Sequence, residues 1–197
     1  MKTPSKIKFA IMIVAALACA AAARAQTAVP ALPLVPLGDC QIGSTSLGSA
    51  TPLSKCVRAS FTASAGTPAN QLVVTSVTGI ILPGDQIITG TGATAGTVVV
   101  SQISGTPGGA GTYLLSATNT TSSASVTTGG IPPGATMAFL QAESADVRYR
   151  DDGGAPTTAI GNMVVHGIPG IFYVGTLAQL QFIGASGSPL LDIAFYR

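Results

Sequence analysis

The sequence predicts an all-β protein. Its 197 residues are rich in Gly, Thr, Ser and Val, only 8% of them are charged, and Trp is absent. After the first 25 residues, no long stretch has apolar residues at helical spacing. Short runs in which apolar and polar residues alternate are instead separated by Gly, Pro, Asn or Asp, which is the pattern of strands joined by turns.

This pattern predicts twelve strands. The clearest is the last, in which Leu191, Ile193 and Phe195 alternate with residues that point to the opposite face, as in a half-buried strand. In residues 146–150, Val147 and Tyr149 alternate with charged residues in the same way. The predicted strands lie near residues 41–46, 55–63, 71–77, 86–89, 97–103, 112–117, 123–127, 136–142, 146–150, 171–174, 179–183 and 190–196.

Residues 1–25 are typical of a secretory signal peptide. Three lysines precede an uncharged apolar run over residues 9–23, and a small-x-small cleavage site ends at Ala25, so we expect cleavage before Gln26. One alternative is a membrane anchor, although the apolar run is shorter than the roughly 20 residues that a spanning helix needs. Another is a lipid attached to Cys19, although Leu17 lies one position too close to that cysteine.

Removal of the signal peptide reverses the sign of the net charge. The whole chain carries +2, whereas without residues 1–25 five basic residues face seven acidic ones, for a net charge of −2. A slightly acidic chain without a basic cluster has no electrostatic footprint for a nucleic-acid backbone. We therefore exclude nucleic acid as a partner.

The two cysteines that remain after cleavage predict one disulfide. In an exported chain, Cys40 and Cys56 are expected to pair. The bridge closes a loop of about 16 residues and is worth about 3 kcal/mol by the chain-entropy estimate. The alternative is a pair of small buried thiols.

Residues 26–39 are predicted to form an extended leader. Pro30, Pro33 and Pro36 recur at a spacing of three, with almost no charge between them. Because proline fixes the backbone and removes a hydrogen-bond donor, we expect a flexible tether or an arm packed on a neighbour rather than a strand in a ladder.

The composition changes near residue 129. Between residues 65 and 128 there is one charged residue, Asp85, and one aromatic residue, Tyr113. The core of this first unit is therefore predicted to rest on Val, Ile and Leu. Residues 129–197 contain seven aromatic residues and most of the charge, which predicts a second unit with rings in its core.

Residues 60–128 contain the runs LVVTSVTG, LPGDQIITGTGATAGTVVV and GTPGGAGTYLLS. Their recurring positions are Gly84, Ile87, Gly90, Thr91, Gly92, Gly96, Thr97, Gly108, Gly109, Gly111, Thr112 and Tyr113. With these residues, the stretch resembles a Gly/Thr-rich β-repeat of phage tail-fibre-like and bacterial surface proteins.

Residues 131–197 contain the run IPPGATMAFLQAESADVRYRDDGGAPTTAIG, a G-x-L-x-x-x-x-F-I run from Gly175 to Ile183, and the terminal LLDIAFYR. With these runs, the stretch resembles a small β-sandwich module of uncharacterised phage virion proteins. In that module the first strand lies directly before the IPPGA turn, whereas here residues 60–128 intervene. The resemblance implies a jelly-roll-like antiparallel β-sandwich (40–59 and 129–197) with an inserted β-repeat-like unit (60–128), after the signal helix (1–25) and the leader (26–39).

No catalytic, cofactor-binding or metal-binding residue is predicted. His166 is the one histidine and no G-x-S-x-G elbow is present, so nucleophile, base and orienting group are not assembled, and zinc would lack ligands. Glu143 and Asp146 come nearest to a pair of glycosidase carboxylates, but residues three apart on a strand point to opposite faces. We interpret Glu143 as the partner of Arg148 or Arg150 in an ion pair.

Three short motifs are interpreted as turns or as chance matches. Residues 90–95 fit the letters G-x-G-x-x-A, but a strand rather than a helix is predicted to follow. Asp-Asp-Gly-Gly at 151–154 lacks the spaced ligands of a calcium loop and is typical of a turn. Asn119 begins a glycosylation sequon by its letters alone.

The favoured functional hypothesis is an exported, secreted or periplasmic, non-enzymatic β-protein with a structural or surface-interaction role. The alternative is a virion component, such as a decoration or tail-associated protein, with the leader as an assembly arm. A third hypothesis is a secreted carbohydrate-binding or hydrolytic domain that binds through exposed Tyr173 or Tyr196. Sparse charge and sheet edges that need covering predict a homo-oligomer, and the resemblance to fibres implies a trimer. We expect cell-surface or virion partners, no cofactor, and no membrane contact after signal removal.

Overall fold

The structure is a computed structural model that describes residues 34–44 and 46–197. The predicted signal peptide, its cleavage site between Ala25 and Gln26, and residues 26–33 of the leader lie outside the described residues. The described part is all-β and its strand pairings are antiparallel, which confirms the predicted class. Its helical structure is limited to three 3₁₀ turns, Ser46–Gly48, Leu53–Lys55 and Leu177–Gln179.

The strands follow the alternation of apolar and polar residues. In the last strand, for example, Leu191, Ile193 and Phe195 are buried and the residues between them are half-buried. The strands are β1 (Pro36–Ile42), β2 (Thr51–Pro52), β3 (Val57–Ala65), β4 (Gln71–Gly79), β5 (Gln86–Gly90), β6 (Val99–Gly105), β7 (Gly111–Leu115), β8 (Ala124–Gly129), β9 (Met137–Glu143), β10 (Val147–Arg150), β11 (Asn162–Val164), β12 (Ile171–Val174), β13 (Gln181–Gly184) and β14 (Leu190–Tyr196).

Strands β1, β2 and β9–β14 form a sandwich of two four-stranded layers. One layer, in the order β12-β9-β14-β1, is one end of a ten-stranded sheet, and the other is a separate sheet in the order β11-β10-β13-β2. This is the strand order of a jelly roll, in which the chain passes repeatedly from one sheet to the other. We call these eight strands the jelly roll.

The core of the jelly roll lies between its two sheets. Phe182 of one sheet and Phe195 of the other are both fully buried in it. Aliphatic side chains from both sheets and from the 3₁₀ turns surround these rings, namely Ile42, Leu47, Leu53, Leu140, Val147, Val164, Leu177, Leu180, Leu191 and Ile193.

Strands β3–β8 lie between β2 and β9 in the chain and surround a second core. They pair in the order β6-β7-β4-β3-β8-β5. A bridge between Gln86 and Val98, and the hydrogen bond from the Val99 N–H to the Asp85 carbonyl at 2.8 Å, join the start of β5 to the start of β6. The circuit of six strands therefore closes, and we call this region the barrel.

The barrel core rests mainly on Val, Ile and Leu, as the sequence predicts. Phe61 and Tyr113 are buried with these aliphatic side chains. The Tyr113 hydroxyl donates a hydrogen bond to the Gly109 carbonyl at 2.7 Å, which satisfies the polar end of an otherwise apolar site. Two rings therefore add to a core that is otherwise aliphatic.

Strand β3 belongs to both regions. Its first residue, Val57, pairs with Gln41 of β1, and from Ala59 onward the place of β1 is taken by β4. The other side of β3 pairs with β8 throughout. A single strand therefore leads from the jelly-roll sheet into the barrel.

Several predicted boundaries are corrected by the structure. Residues 36–39 were assigned to the leader, but they belong to β1 and pair with β14, because proline is tolerated as the first residue of a strand. The strand predicted over 41–46 ends at Ile42, and β2 and β11 were not predicted. Residues 34–197 form one compact unit, so the limits predicted between sandwich and insert stay a prediction.

Candidate ligand-binding face

The sheet β12-β9-β14-β1 has one side against the core and one side toward solvent, which we call the outer face. Successive side chains of a strand point to opposite sides. Because Leu140 of β9 and Ile193 of β14 are buried in the core, their neighbours lie on the outer face. The strand register arranges these outer side chains in rows, namely Val174-Met137-Tyr196, Phe172-Phe139-Ala194-Asp39 and Gln141-Asp192-Gln41.

The first two rows form an aromatic cluster of Phe139, Phe172 and Tyr196. The ring centroids of Phe139 and Phe172 are 5.0 Å apart, and those of Phe172 and Tyr196 are 6.0 Å apart, both pairs tilted. Phe172 is 56% exposed and the adjacent Val174 is 71% exposed. Both lie in β12, the edge strand of the sheet. The cluster therefore presents rings to solvent beside an unpaired strand edge.

The third row is polar. Asp192 of β14 lies in register with Gln141 of β9 on one side and with Gln41 of β1 on the other. Glu143, at the end of β9, lies one row further along. The outer face thus changes from aromatic at its β12 edge to amide and carboxylate groups toward β1.

A groove of about 480 Å³ lies over the second and third rows. Its volume falls within the roughly 300–1,000 Å³ of small-molecule sites. Apolar and polar residues both line it, namely Val57, Phe139 and Ala194 together with Asp39, Gln41, Arg58, Gln141 and Asp192.

Arg58 lies where the groove meets the barrel. Its side chain is 3% exposed and forms a buried ion pair with Asp85, and its Nε donates to the Asp39 carbonyl at 3.0 Å. Burial raises the pKa of Asp85, while the Leu82 amide and Arg58 oppose that rise. The Arg58 Nη2 is buried and has no hydrogen-bond partner in the described residues. One donor of this guanidinium is therefore unsatisfied.

Asp192 supplies an unsatisfied acceptor to the same groove. Its Oδ1 is buried and has no hydrogen-bond partner among the described residues. Repulsion by the Asp192 carboxylate also raises the pKa of Glu143. The prediction that Glu143 pairs with Arg148 or Arg150 was wrong, because Arg148 donates to the carbonyls of Thr158 and Gly161 whereas Arg150 pairs with Asp152.

Gly170 allows the segment before β12 to pass close to β9. A Cβ on this residue would lie 2.4 Å from the Leu140 carbonyl oxygen and 2.6 Å from the Phe139 ring. The Gln141 amide donates to the Ile168 carbonyl of this segment at 3.2 Å. The absence of a side chain at Gly170 thus lets the segment hold both Phe139 and Gln141 in place.

The predicted disulfide between Cys40 and Cys56 is present, with the two Cα atoms 5.5 Å apart. Cys40 lies in β1 and Cys56 directly precedes β3. The bridge therefore fastens together the two strands that carry Asp39, Gln41 and Arg58, on one side of the groove.

Tyr173 and Tyr196, the two tyrosines predicted to bind a ligand, lie on opposite sides of the sheet. Tyr173 is in register with Ala138, which is buried, and it packs against the jelly-roll core. Tyr196 is in register with Met137 on the outer face and contacts Phe172. Of the two, Tyr196 belongs to the aromatic cluster beside the groove.

The ionisable residues weighed for catalysis do not come together. Asp146 accepts from the His166 N–H at 3.0 Å and lies 2.7 Å from its Nδ1, which lowers the pKa of Asp146. This pair ties the segment after β11 to the start of β10. Glu143 belongs to the other sheet and has Asp192 as its carboxylate neighbour.

The motifs interpreted as turns have that structure. Residues 91–96 make turns between β5 and β6, and no helix begins there. Asp152 accepts from the Gly154 N–H at 3.0 Å and pairs with Arg150. Asn119 is 5% exposed and its amide donates to the carbonyls of Ala69 and Gln71 at 2.9 Å, so its role in the barrel is structural.

Within the described residues, no group of three or more His, Cys, Asp or Glu side chains is placed to hold a metal ion. The same part of the chain contains no helix long and apolar enough to cross a membrane. Comparison with protein-family models, with curated proteins and with solved structures finds no match to this chain.

Sequence reasoning did not single out the residues that line the groove. The alternation in residues 136–142 and 190–196 already places Phe139, Gln141 and Asp192 away from the core. Their proximity depends on the pairing of β9 with β14 and of β14 with β1, between strands far apart in the chain. The signal for Arg58 was a charge within an otherwise uncharged strand, and the signal for Asp85 was that it is the one charged residue between residues 65 and 128.

Proposed function

We propose that the chain is an exported, non-enzymatic β-protein with a structural or surface-interaction role, and that the outer face of the jelly roll is its interaction surface. The observation that carries this proposal is the aromatic cluster beside exposed Val174 on an edge strand. Exposed rings and aliphatic groups that adjoin one another favour association, because contact removes their apolar area from water.

The disulfide supports the export part of the proposal. Disulfides persist in oxidising compartments such as the periplasm and the extracellular space. The Cys40–Cys56 bridge therefore agrees with the signal peptide predicted for residues 1–25.

An exposed edge strand supports self-association. β12 pairs with β9 on one side only, and it exposes Phe172 and Val174. Unpaired strand edges and exposed apolar side chains are sites of contact with another chain. We propose a homo-oligomer that buries the exposed side chains of β12, and the trimeric state rests on the resemblance to fibre proteins.

A virion component is the second candidate. The jelly-roll strand order favours it, since this architecture is common in capsid proteins as well as in lectins. A fold by itself does not fix a function. Recovery of the chain in virus particles with residues 1–25 still attached would favour this candidate over export.

The export proposal is tested by the intact mass of the protein recovered from periplasm, medium or particles. We expect a chain that begins at Gln26 and has lost two hydrogens through the disulfide. An uncleaved chain with free thiols would contradict export. Turnover of a glycan or ester substrate that is lost in Glu143→Gln would contradict the non-enzymatic role.

Self-association is tested by light scattering on the secreted protein. Wild type is expected to be oligomeric, and Val174→Lys, which places a charge on the β12 edge, is expected to shift the protein to monomer. Ile160→Lys is the matched control, because Ile160 is 57% exposed but lies in a loop. A monodisperse wild-type monomer at high concentration would contradict the oligomer.

A further inference from the structure

We infer that the groove on the outer face binds an uncharged saccharide. This inference rests on the proposed function, because it names the ligand class of the proposed interaction surface. It follows from three features of the same place, namely the aromatic cluster, the unsatisfied polar atoms of the groove and the sign of its charge.

The aromatic cluster provides a surface for the C–H faces of a sugar ring. Phe139 lines the groove and contacts Phe172, which in turn contacts Tyr196. The face of an aromatic ring carries negative charge density, which attracts the weakly positive C–H groups of a pyranose. A continuous strip of rings beside a polar groove fits a ligand with one apolar face and a polar rim.

The unsatisfied atoms of the groove require a ligand group that both donates and accepts. Arg58 Nη2 is a donor without a partner, on a side chain that is 3% exposed, and Asp192 Oδ1 is an acceptor without a partner. Buried polar groups in native proteins are normally hydrogen-bonded. A hydroxyl group can donate to Asp192 Oδ1 or accept from Arg58 Nη2, so a ligand with several hydroxyls offers both kinds of partner, whereas a simple anion or cation offers only one.

The charge of the groove excludes acidic sugars. The positive charge of Arg58 is already paired with Asp85. Asp39 and Asp192 line the groove, and Glu143 lies beside Asp192 on the same face. Sialylated, sulfated or uronate-containing glycans would be repelled by these carboxylates. The amides of Gln41 and Gln141 add donors and acceptors that suit neutral hydroxyls.

The inference is tested with secreted, disulfide-bonded protein on a panel of neutral and acidic oligosaccharides, followed by calorimetry on the best ligand. We expect binding to at least one neutral oligosaccharide and no binding to the acidic ones. Phe139→Ala and Asp192→Ala are each expected to weaken that binding by about tenfold or more. Phe139→Ala removes one ring contact, and Asp192→Ala removes one buried hydrogen bond. Tyr173→Phe, on the opposite side of the sheet, is the matched control and is expected to bind like wild type.

Gln41→Ala keeps the test decisive if Phe139→Ala fails to fold, because Gln41 is exposed and lines the groove without packing in the core. We expect it too to weaken binding while the melting temperature stays that of wild type. Binding that survives Asp192→Ala and Gln41→Ala unchanged, or a preference for acidic glycans, would overturn the inference.

The outcomes for the ligand and for the proposed function remain distinct. Wild-type protein that is exported and oligomeric but binds no neutral oligosaccharide would overturn the saccharide inference alone. Protein that binds a neutral oligosaccharide and also releases reducing ends from it, in a reaction that is lost in Glu143→Gln, would overturn the non-enzymatic role. The inference of a saccharide site would still hold.

Discussion

The jelly roll and the barrel bury similar side chains but present different ones to solvent. Both cores combine aliphatic groups with two fully or nearly fully buried rings. On the barrel surface the strands expose hydroxyls, such as those of Thr89 and Thr127, which lie 2.7 Å apart across β5 and β8, and aliphatic side chains such as Val100 and Ile103. The outer face of the jelly roll carries rings, amides and carboxylates. The groups able to recognise a ligand are therefore concentrated in one region.

The two regions also differ in what reinforces them. The jelly roll has the Cys40–Cys56 bridge at its border with β3. The barrel has instead the buried pair of Arg58 and Asp85, and Arg58 reaches back to the Asp39 carbonyl of β1. Both devices lie at the junction, one covalent and one electrostatic. Removing each of them separately measures how much it contributes to the stability of the two regions.

The largest expected effect comes from Arg58→Met. The substitution leaves the Asp85 carboxylate, a residue only 2% exposed, buried without its cation, so we expect a loss of about 3–5 kcal/mol in the free energy of unfolding. Burial already raises the pKa of Asp85, and loss of Arg58 raises it further. A raised pKa gives stability that is present at low pH and lost as the pH rises through it, so the loss should be smaller at pH 4.5 than at pH 7.5. Urea denaturation at both values measures it.

The double variant Arg58→Met/Asp85→Leu is the control for Arg58→Met. It removes the uncompensated charge, so most of the lost stability should return and the pH dependence should disappear. A double variant as unstable as the single one would show that packing of the arginine, rather than its charge, joins the two regions.

A smaller effect is expected from Cys40→Ala/Cys56→Ala. The bridge spans 16 residues, and its removal is expected to cost about 3 kcal/mol, measured by urea denaturation beside wild type treated with a thiol reductant. Hydrogen exchange should rise first in β1, which carries Cys40, and in β14, which pairs with β1, before it rises in β6 and β7. Equal increases in all four strands would contradict separate reinforcement of the two regions.

The sequence was sufficient to predict the strands that have a clear residue pattern of their own. β14, in which apolar and polar residues alternate, and β12, a short apolar run after Gly170, begin and end where the sequence predicts. β2 and β11 have two and three residues, too few for a pattern, and exist because β13 and β10 pair with them. The start of β1 was missed because the proline spacing suggested an extended leader, whereas pairing with β14 makes it a strand.

For the candidate site, sequence could supply the outward direction of side chains but not their neighbours. Tyr196 was correctly assigned to the side of β14 opposite Phe195. That Phe172 packs against it, and that Asp192 lies between two glutamines, depends on registers between distant strands. Such registers are set by the packing of the whole sheet, which no local pattern contains.

The smallest expected effect concerns the exposed ion pairs, which lie in the jelly roll. Arg150 hydrogen-bonds Asp152 and, with the Gly154 N–H, lowers the pKa of Asp152 to about 2. A lowered carboxyl pKa gives stability that is present above the unfolded value near 3.8 and is lost as the pH falls toward about 2.

Arg150→Gln should therefore raise the pKa of Asp152 toward 3.8, measured by NMR titration of its side-chain carboxyl carbon. Asp146 is the internal control, because His166 lowers its pKa and should still do so in the variant. If the pKa of Asp152 stayed near 2, the Gly154 amide and not the Arg150 guanidinium would be what stabilises the carboxylate and this turn of the jelly roll.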